Sequence, residues 1–439
     1  MDEPDALRAW WMPFTHNRYF KQNPRLIASG KGSYYQLEDG RSVFDGVSGL
    51  WCCPLGHSPA RVVAAIQKQV ANLDFAPSFQ MGHSAAFSLA QRIADFAKRP
   101  KDRVFFVNSG SEAVDTALKI ALAFHRANGE PSRTRMIGRE RGYHGAGLGG
   151  ISVGGIPSNR KMFSPLMMSG VDHLPHTWNG THMAYSRGQP AWGVHLAEEL
   201  ERLVTLHDAS NIAAVIIEPM QGSAGVIVPP EGYLQRIRDI CTRHGILLIF
   251  DEVITGCGRL GKPFAADYFN IKPDLITFAK AINNATVPLG GVLVDNAIYE
   301  SFMSGPSHLI EFFHGYTYSG HPLAVAAAHA TLDELSESNL IERAAELSPV
   351  LENAMHSLRG EPNVTDIRNL GLAAAVDVAP YSGAAGLRAI QVFEHALNNG
   401  LYVRYTADTL VLAPPFISTP TEIKTAVETL RKALQAQVK

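Results

Sequence analysis

The chain has 439 residues, 46% hydrophobic and 18% charged, with a formal net charge of -2 at pH 7. At that length one hydrophobic core stops growing, so one large domain with a smaller companion is expected. The near-neutral balance excludes a nucleic-acid binder that relies on bulk positive charge. Cys52, Cys53, Cys241 and Cys257 show no C-x-x-C spacing, which excludes a disulfide framework or zinc ribbon and predicts reduced, structural thiols.

In chain order, "MDEPDALRAWW" opens with acids where a secretory signal carries bases, and no apolar run is long enough to span a bilayer. A cytoplasmic protein without membrane partners is expected. "GSYYQLEDGRSVFDGVSG" (32 to 49) carries an "EDG" turn between two strand-like runs, a hairpin signal. The middle then alternates β-rich apolar runs with helical patterns: "RVFFV" (103 to 107) and a helix from 111 to about 127; "AAVII" (213 to 217) and a helix around 231 to 243; "ILLIF" (246 to 250); "LITFA" (275 to 279). Such alternation predicts a mainly parallel sheet covered by helices. The last 120 residues predict a smaller α/β domain, with helical stretches at about 321 to 358 and 420 to 436 around strands near 372 to 378, 401 to 403 and 409 to 412.

Three apolar strand patterns end in ionisable residues: "AAVIIE" in Glu218, "ILLIFDE" in Asp251 and Glu252, and "LITFAK" in Lys280. The carboxyl ends of parallel strands form the ligand crevice of an open sheet, so these groups are expected to converge. Lys280 is the only charge in "LITFAKAINNATVPLGGVLV" (275 to 294). Desolvation disfavours its ammonium form and leaves an amine able to condense with a carbonyl; the bland reading is a lysine snorkelling to the surface. Asp251 needs a positive partner, either a protonated heterocyclic nitrogen or Arg259. An amine that forms a Schiff base and a carboxylate that pairs with a pyridinium nitrogen are together the equipment of a pyridoxal phosphate site.

A phosphate needs an anion site. "RVFFVNSGSEAVDTALKIALA" (103 to 123) runs from a strand through a small polar turn into a helix N-terminus, which attracts anions. Ser109 and Glu112 also fit a capping box, so ordinary helix initiation competes with that reading. "GYHGAG" (142 to 147) holds Tyr143 and His144 among glycines, where an aromatic ring can stack on a flat cofactor. Gly145, Gly147 and Gly150 match G-x-G-x-x-G formally, but "GRERGYH" is no hydrophobic strand and "ISVGGIP" opens no helix, so the dinucleotide context is missing. His173 and His176 lack ligand-spaced neighbours, and no metal is expected.

With these residues in hand, "LLIFDEVITGCGRLG" (247 to 261) and "PDLITFAK" (273 to 280) resemble the signature of class III (ω-) aminotransferases, pyridoxal phosphate enzymes of fold type I. Cys257 and Leu260 stand where phenylalanine and threonine are more usual. "WMPFTHNRYF" (11 to 20), "GLWC" (49 to 52), "DFAPSFQMGH" (74 to 83) and "HGYTYSGHP" (314 to 322) resemble the β-alanine:pyruvate subgroup. The resemblance implies a large domain (60 to 320) with a mainly parallel seven-stranded sheet between helices. It also implies a small α/β domain (321 to 439) to which an N-terminal segment (1 to 59) contributes.

The resemblance further implies that Lys280 anchors pyridoxal 5'-phosphate and shuttles the proton between substrate Cα and cofactor C4′. Asp251 would hold the pyridine nitrogen protonated. Ser109, Gly110 and Ser111 would bind the phosphate, Tyr143 and Val253 would flank the ring, and His144 and Glu218 would support it. Thr317 would reach the phosphate in a partner subunit, implying an obligate homodimer, or a tetramer, with shared sites. Phe14, Leu50, Trp51, Phe79 and Tyr143 would wall the substrate pocket, the plainer alternative for Phe14, Leu50, Trp51 and Phe79 being that some of them simply pack the core. Arg404 would bind a carboxylate and swing aside for an apolar amine, although a surface pair with Asp408 is the plainer alternative. The activity implied is amino transfer from an ω-amino acid or primary amine to pyruvate. An aminomutase or decarboxylase of the same family, and more distantly a nicotinamide-dependent oxidoreductase, remain as rivals.

Overall fold

The computed structural model describes residues 7 to 437, so the extreme ends of the expected N-terminal segment and small domain lie outside the described residues. Seven strands form the large sheet: β1 (Arg103–Val107), β2 (Arg135–Arg139), β3 (Val171–Leu174), β4 (Ile212–Ile217), β5 (Leu247–Asp251), β6 (Leu275–Phe278) and β7 (Gly290–Val294). Their spatial order is β1-β7-β6-β5-β4-β2-β3, and only β7 runs against its neighbours. Every residue of β4, β5, β6 and β7 is buried, because helices cover both faces of the sheet. That is why these strands read as continuous apolar runs rather than alternating ones.

Two strands escaped sequence reading for the opposite reason. β2, "RMIGR", is bracketed by arginines, and β3, "VDHL", carries two polar residues in four. β7 hides in "LGGVLV": Gly291 is required there, since a Cβ would meet the Phe278 ring at 2.3 Å. The helix Gly110–Ala127 lays Ala113, Val114, Ala117, Leu118 and Ala121 onto the sheet, at the spacing that makes one helical face.

The "EDG" turn does form a hairpin, with Tyr34–Leu37 antiparallel to Ser42–Asp45 and Gly40 at φ +86°. Ser42–Asp45 also pairs in parallel with Leu401–Tyr402, so the N-terminal segment joins a sheet with the C-terminal part of the chain. A separate four-stranded sheet takes Val364–Asn369, Ala374–Val378, Thr409–Leu412 and Arg404–Thr406 in that order. The expected helical stretch from 321 to 358 is two helices, Pro322–Glu337 and Leu340–His356, separated where Asn339 takes φ +50°. Asparagine is among the residues that tolerate this left-handed conformation.

Arg259 ties these parts together. Its buried guanidinium donates to the carbonyls of Leu372 (3.2 Å) and Pro414 (2.8 Å) and to Ser48 Oγ (3.1 Å), and lies 4.7 Å from the Phe416 ring centroid. Burial pulls its pKa down to about 9. Removing it leaves buried oxygens unsatisfied. Arg259→Met is therefore expected to cost about 3 kcal/mol of stability, read as a lowered urea midpoint; an unchanged midpoint would show that the three contacts contribute nothing net.

Candidate active site

β4, β5 and β6 are adjacent and parallel, so their carboxyl ends meet. Glu218 follows the last residue of β4, Asp251 ends β5, and Lys280 comes two residues after β6. All three line a cavity of about 130 Å³ together with Gly110, Ser111, Tyr143, His144, Gly145, Val253 and Ile254. Glu252 does not join them. Successive strand residues point to opposite faces, and its buried carboxylate accepts from the N–H groups of Ala265 and Ala266 and from Thr255 Oγ1, capping a helix on the other side.

Lys280 opens a short 3-10 turn at φ +51°, a strained conformation for a side-chain-bearing residue and one that concentrates at functional sites. Its Nζ makes no hydrogen bond or ion pair with the described residues. Burial holds its pKa below the ordinary lysine value, the nearby Arg404 charge pushes the same way, and Cys52, Asp251 and Glu218 oppose them.

Asp251 is held from three sides. Oδ2 lies 2.8 Å from His144 Nδ1, and Oδ1 accepts from Thr277 Oγ1 (3.1 Å) and Val253 N–H (3.2 Å). Arg259, the alternative partner, is committed elsewhere. His144 Nε2 is buried with no partner. The pairing of His144 with Asp251 was not legible in sequence because 107 positions separate them.

Glu218 Oε1 accepts from Tyr143 N–H (2.8 Å) and Oε2 from Gly222 N–H (3.2 Å), which fixes the Tyr143 backbone at the cavity wall. Burial pushes its pKa from 4.5 to about 7. A carboxyl whose folded pKa exceeds its unfolded one stabilises the fold fully below the unfolded value, and that contribution is lost as pH rises through the folded one. Glu218→Gln is expected to flatten the decline of stability between about pH 4.5 and 7. Urea midpoints across that window check this, and an unaltered slope would refute it.

At the head of the helix, Ser109 Oγ accepts from Glu112 N–H at 3.1 Å, but the Glu112 carboxylate reaches back to Asn108 N–H (2.7 Å) rather than to Ser109. Half of the expected capping box is present. Ser109 spends its hydroxyl on the cap and does not line the cavity, whereas Gly110 and Ser111 do. The cradle is built for close approach: a Cβ on Gly110 would meet Val253 Cγ1 at 3.0 Å, and one on Gly145 would meet Ser111 Oγ at 2.5 Å. Helix N–H groups at one end, a carboxylate anchored to receive a ring nitrogen, flanking Tyr143 and Val253, and a free amine fit pyridoxal phosphate.

Of the expected substrate residues, only Tyr143 lines this cavity. Phe14 and Leu50 line a second cavity of about 530 Å³ with Cys52 and Tyr402. Phe79, 59% exposed, lines a third hollow of about 300 Å³ beside Gly315 and Ser319, and Thr317 is exposed. Trp51, at φ +65° and 2% exposed, packs with Met220 and Ile254. The surface pair between Arg404 and Asp408 is absent: Asp408 accepts from Gly386 N–H (2.7 Å), while Arg404 has no carboxylate partner among the described residues and a buried Nε unpaired with any of them. Its charge acts on both Lys280 and Tyr143. Ile254 carries no signal in sequence, and Gly145 stood out there only as part of a formal dinucleotide match, not as lining of this cavity.

The four cysteines are free thiols, and burial pushes that of Cys241 up to about 12. Among the described residues no group of three or more His, Cys, Asp or Glu could hold a metal, and no helix is long and apolar enough to cross a membrane.

A parallel-stranded α/β fold with a lysine, an aspartate and a helix N-terminus converging at its strand ends defines a pyridoxal phosphate-dependent enzyme. Residues 16–434 match the family model for aminotransferase class III, and the chain belongs to that family. An ω-aminotransferase of Caulobacter vibrioides is 54% identical over 98% of this chain and 97% of its own. A β-alanine–pyruvate aminotransferase of Pseudomonas aeruginosa is 49% identical over 98% and 96%. The ω-transaminase of Pseudomonas jessenii, solved in complex with PMP, superposes with a TM-score of 0.93 at 32% identity, covering 99% of this chain and 98% of that one. The protein is thus an aminotransferase, and its cofactor is pyridoxal phosphate.

Proposed function

We propose that the enzyme transfers an amino group from an ω-amino acid or primary amine, β-alanine among them, to pyruvate, releasing an aldehyde or ketone and L-alanine by a ping-pong mechanism. The observation that carries this reading is Arg404, an unpaired, partly buried guanidinium whose charge reaches Lys280 and Tyr143. A guanidinium in that position suits the carboxylate of pyruvate or of an amino-acid donor. When bound, pyridoxal phosphate supplies an electron sink for charge developing at the substrate Cα. Lys280 would anchor the cofactor and would move the proton at the substrate Cα. Asp251, oriented by His144 and Thr277, would keep the pyridine nitrogen protonated. Gly110 and Ser111, with the helix end that Ser109 caps, would hold the phosphate, and Glu218, which fixes the Tyr143 backbone, would steady that residue beside the ring.

Phe14, Leu50, Trp51 and Phe79 are assigned to substrate selection. A thermostable ω-transaminase engineered for asymmetric synthesis of enantiopure bulky amines carries replacements of a tryptophan, a phenylalanine and an arginine, the residue types that Trp51, Phe79 and Arg404 supply here. Segments 1 to 59 and 321 to 439 are taken as the small domain and 60 to 320 as the large one, in a cytoplasmic enzyme.

A homodimer with shared sites is part of the proposal. Phe79, Phe87 (74% exposed), Phe313 and Tyr318 are all exposed, and Phe79 and Phe87 share a hollow with Gly315 and Ser319, which flank Thr317 in the chain; exposed apolar residues grouped in this way suit an interaction surface. Phe87→Asp is expected to shift the sedimentation coefficient to that of a monomer with loss of turnover. A fully active monomer would remove the shared-site reading.

The test of the activity is a visible spectrum of the holoenzyme. Addition of β-alanine should bleach its yellow band, and pyruvate should restore it with one equivalent of alanine formed. A band indifferent to a series of amines, or restored without alanine, would sink the reading.

A further inference from the structure

A further cavity, of about 660 Å³, shares none of its lining with the one around Lys280. Its wall holds Arg141, Arg160, Lys161, His173 and His176 against one carboxylate, Glu140. Arg160 is spent structurally, donating to the carbonyls of Ile151 (3.1 Å), Ser152 (2.5 Å) and Gly154 (2.6 Å), although its charge remains. Arg141 and Lys161 are not spent: neither makes a side-chain hydrogen bond or an ion pair with the described residues.

Arg141 is also held in place. Its backbone takes φ +60°, pinned by a bond from its N–H to Gly155 O (3.0 Å), and its guanidinium lies 5.6 Å from the Trp178 ring centroid. A strained backbone and an indole ring beside the side chain together preorganise a guanidinium that makes no hydrogen bond with the described residues, the charges of Asp377 and Glu140 acting on it only at longer range and that of Arg368 opposing them. Burial first, and then the charges of Arg141 and Arg160 respectively, hold His176 and His173 below the ordinary histidine value. Both rings are therefore neutral near pH 7, and the positive charge of the cavity rests on Arg141, Arg160 and Lys161 against the single carboxylate of Glu140.

We propose that this cavity binds a phosphate-bearing small molecule, with the Arg141 fork and the Lys161 ammonium on the phosphate oxygens. A tetrahedral dianion accepts two parallel bonds from a guanidinium and still offers an oxygen to an ammonium, which a single carboxylate does less well. The volume leaves room for the esterified part of the molecule beside the phosphate. Arg141 lies two positions before Tyr143, so occupancy would bear on the chain segment that walls the catalytic cavity.

The test is calorimetric titration of the holoenzyme, whose catalytic phosphate cup is filled by its own cofactor, with inorganic phosphate and with glycerol 3-phosphate at fixed ionic strength. Saturable binding is expected, weakened about tenfold or more by Arg141→Gln, as for loss of a charge-assisted contact, and undetectable in Arg141→Gln/Lys161→Gln. Both side chains are exposed, so the variants should fold, and retention of the bound-cofactor band checks this. Lys432→Gln, an exposed cation on the C-terminal helix, should bind as the wild type does. Heats indistinguishable from a chloride titration, or undiminished binding in the double variant, would overturn the proposal.

Discussion

Lys280→Ala is expected to lose the absorbance band of covalently held cofactor and to cut transamination by about 10⁴-fold or more, since the variant lacks both the anchoring amine and the group that moves the proton. The geometry makes that loss specific. Lys280 is the amine that the ends of β4, β5 and β6 present to the cavity, and its Nζ is unengaged. The depressed pKa means that the folded chain disfavours the ammonium, so removing it should not weaken the fold. The sign follows from linkage: a lysine whose folded pKa lies below its unfolded value opposes folding wherever the unfolded chain is protonated, which includes neutral pH. Lys280→Met, which keeps the stem's volume, should therefore match or exceed the wild-type urea midpoint without cofactor while remaining inactive. Retained turnover in either variant would remove Lys280 from the chemistry. A collapse of stability would instead mean that the lysine is structural.

The parts of the site legible in the sequence share a physical cause. Glu218, Asp251 and Lys280 each interrupt the end of an apolar run, and in a parallel sheet such ends point to one edge. Burial makes the interruption visible, so β4, β5 and β6 and their terminal groups stood out together. β2 and β3 did not, because β2 begins and ends in arginine and β3 is half polar. Glu252 was misleading for a reason of period: it sits one residue beyond Asp251 and faces the opposite side, where backbone N–H groups hold it.

What could not be read was pairing at long range. The contacts of Asp251 with His144 and of Arg259 with Leu372 and Pro414 join residues more than 100 positions apart, and no local pattern encodes them. The substrate residues show the same limit. Resemblance grouped Phe14, Leu50, Trp51 and Phe79, while the chain spreads them over two cavities and a packed cluster. Phe79 lines a hollow together with the exposed Phe87, and Thr317 is exposed rather than part of the catalytic cavity.

Arg404→Leu is expected to separate recognition of the two substrate classes. Losing a bidentate, charge-assisted contact to a carboxylate should cost roughly 3 kcal/mol, or about 100-fold in kcat/KM for pyruvate and for β-alanine. An arylalkyl amine, which has no carboxylate, should keep its amino-transfer rate within about threefold, because an apolar side chain in place of the guanidinium removes nothing that such a donor uses. Arg404→Lys keeps the charge but not the fork, and should fall between wild type and Arg404→Leu for carboxylate substrates alone. The structure makes the separation sharp: with Asp408 bonded to Gly386 N–H, no carboxylate among the described residues has to be displaced from Arg404 before a substrate can bind. The two half-reactions, followed separately by single-turnover absorbance, provide the measurement. If all substrates lose activity equally, Arg404 acts through the electrostatics of Lys280, on which its charge also bears, and not through the carboxylate. If only carboxylate substrates suffer, one residue on the strand Arg404–Thr406 divides amino acids from simple amines.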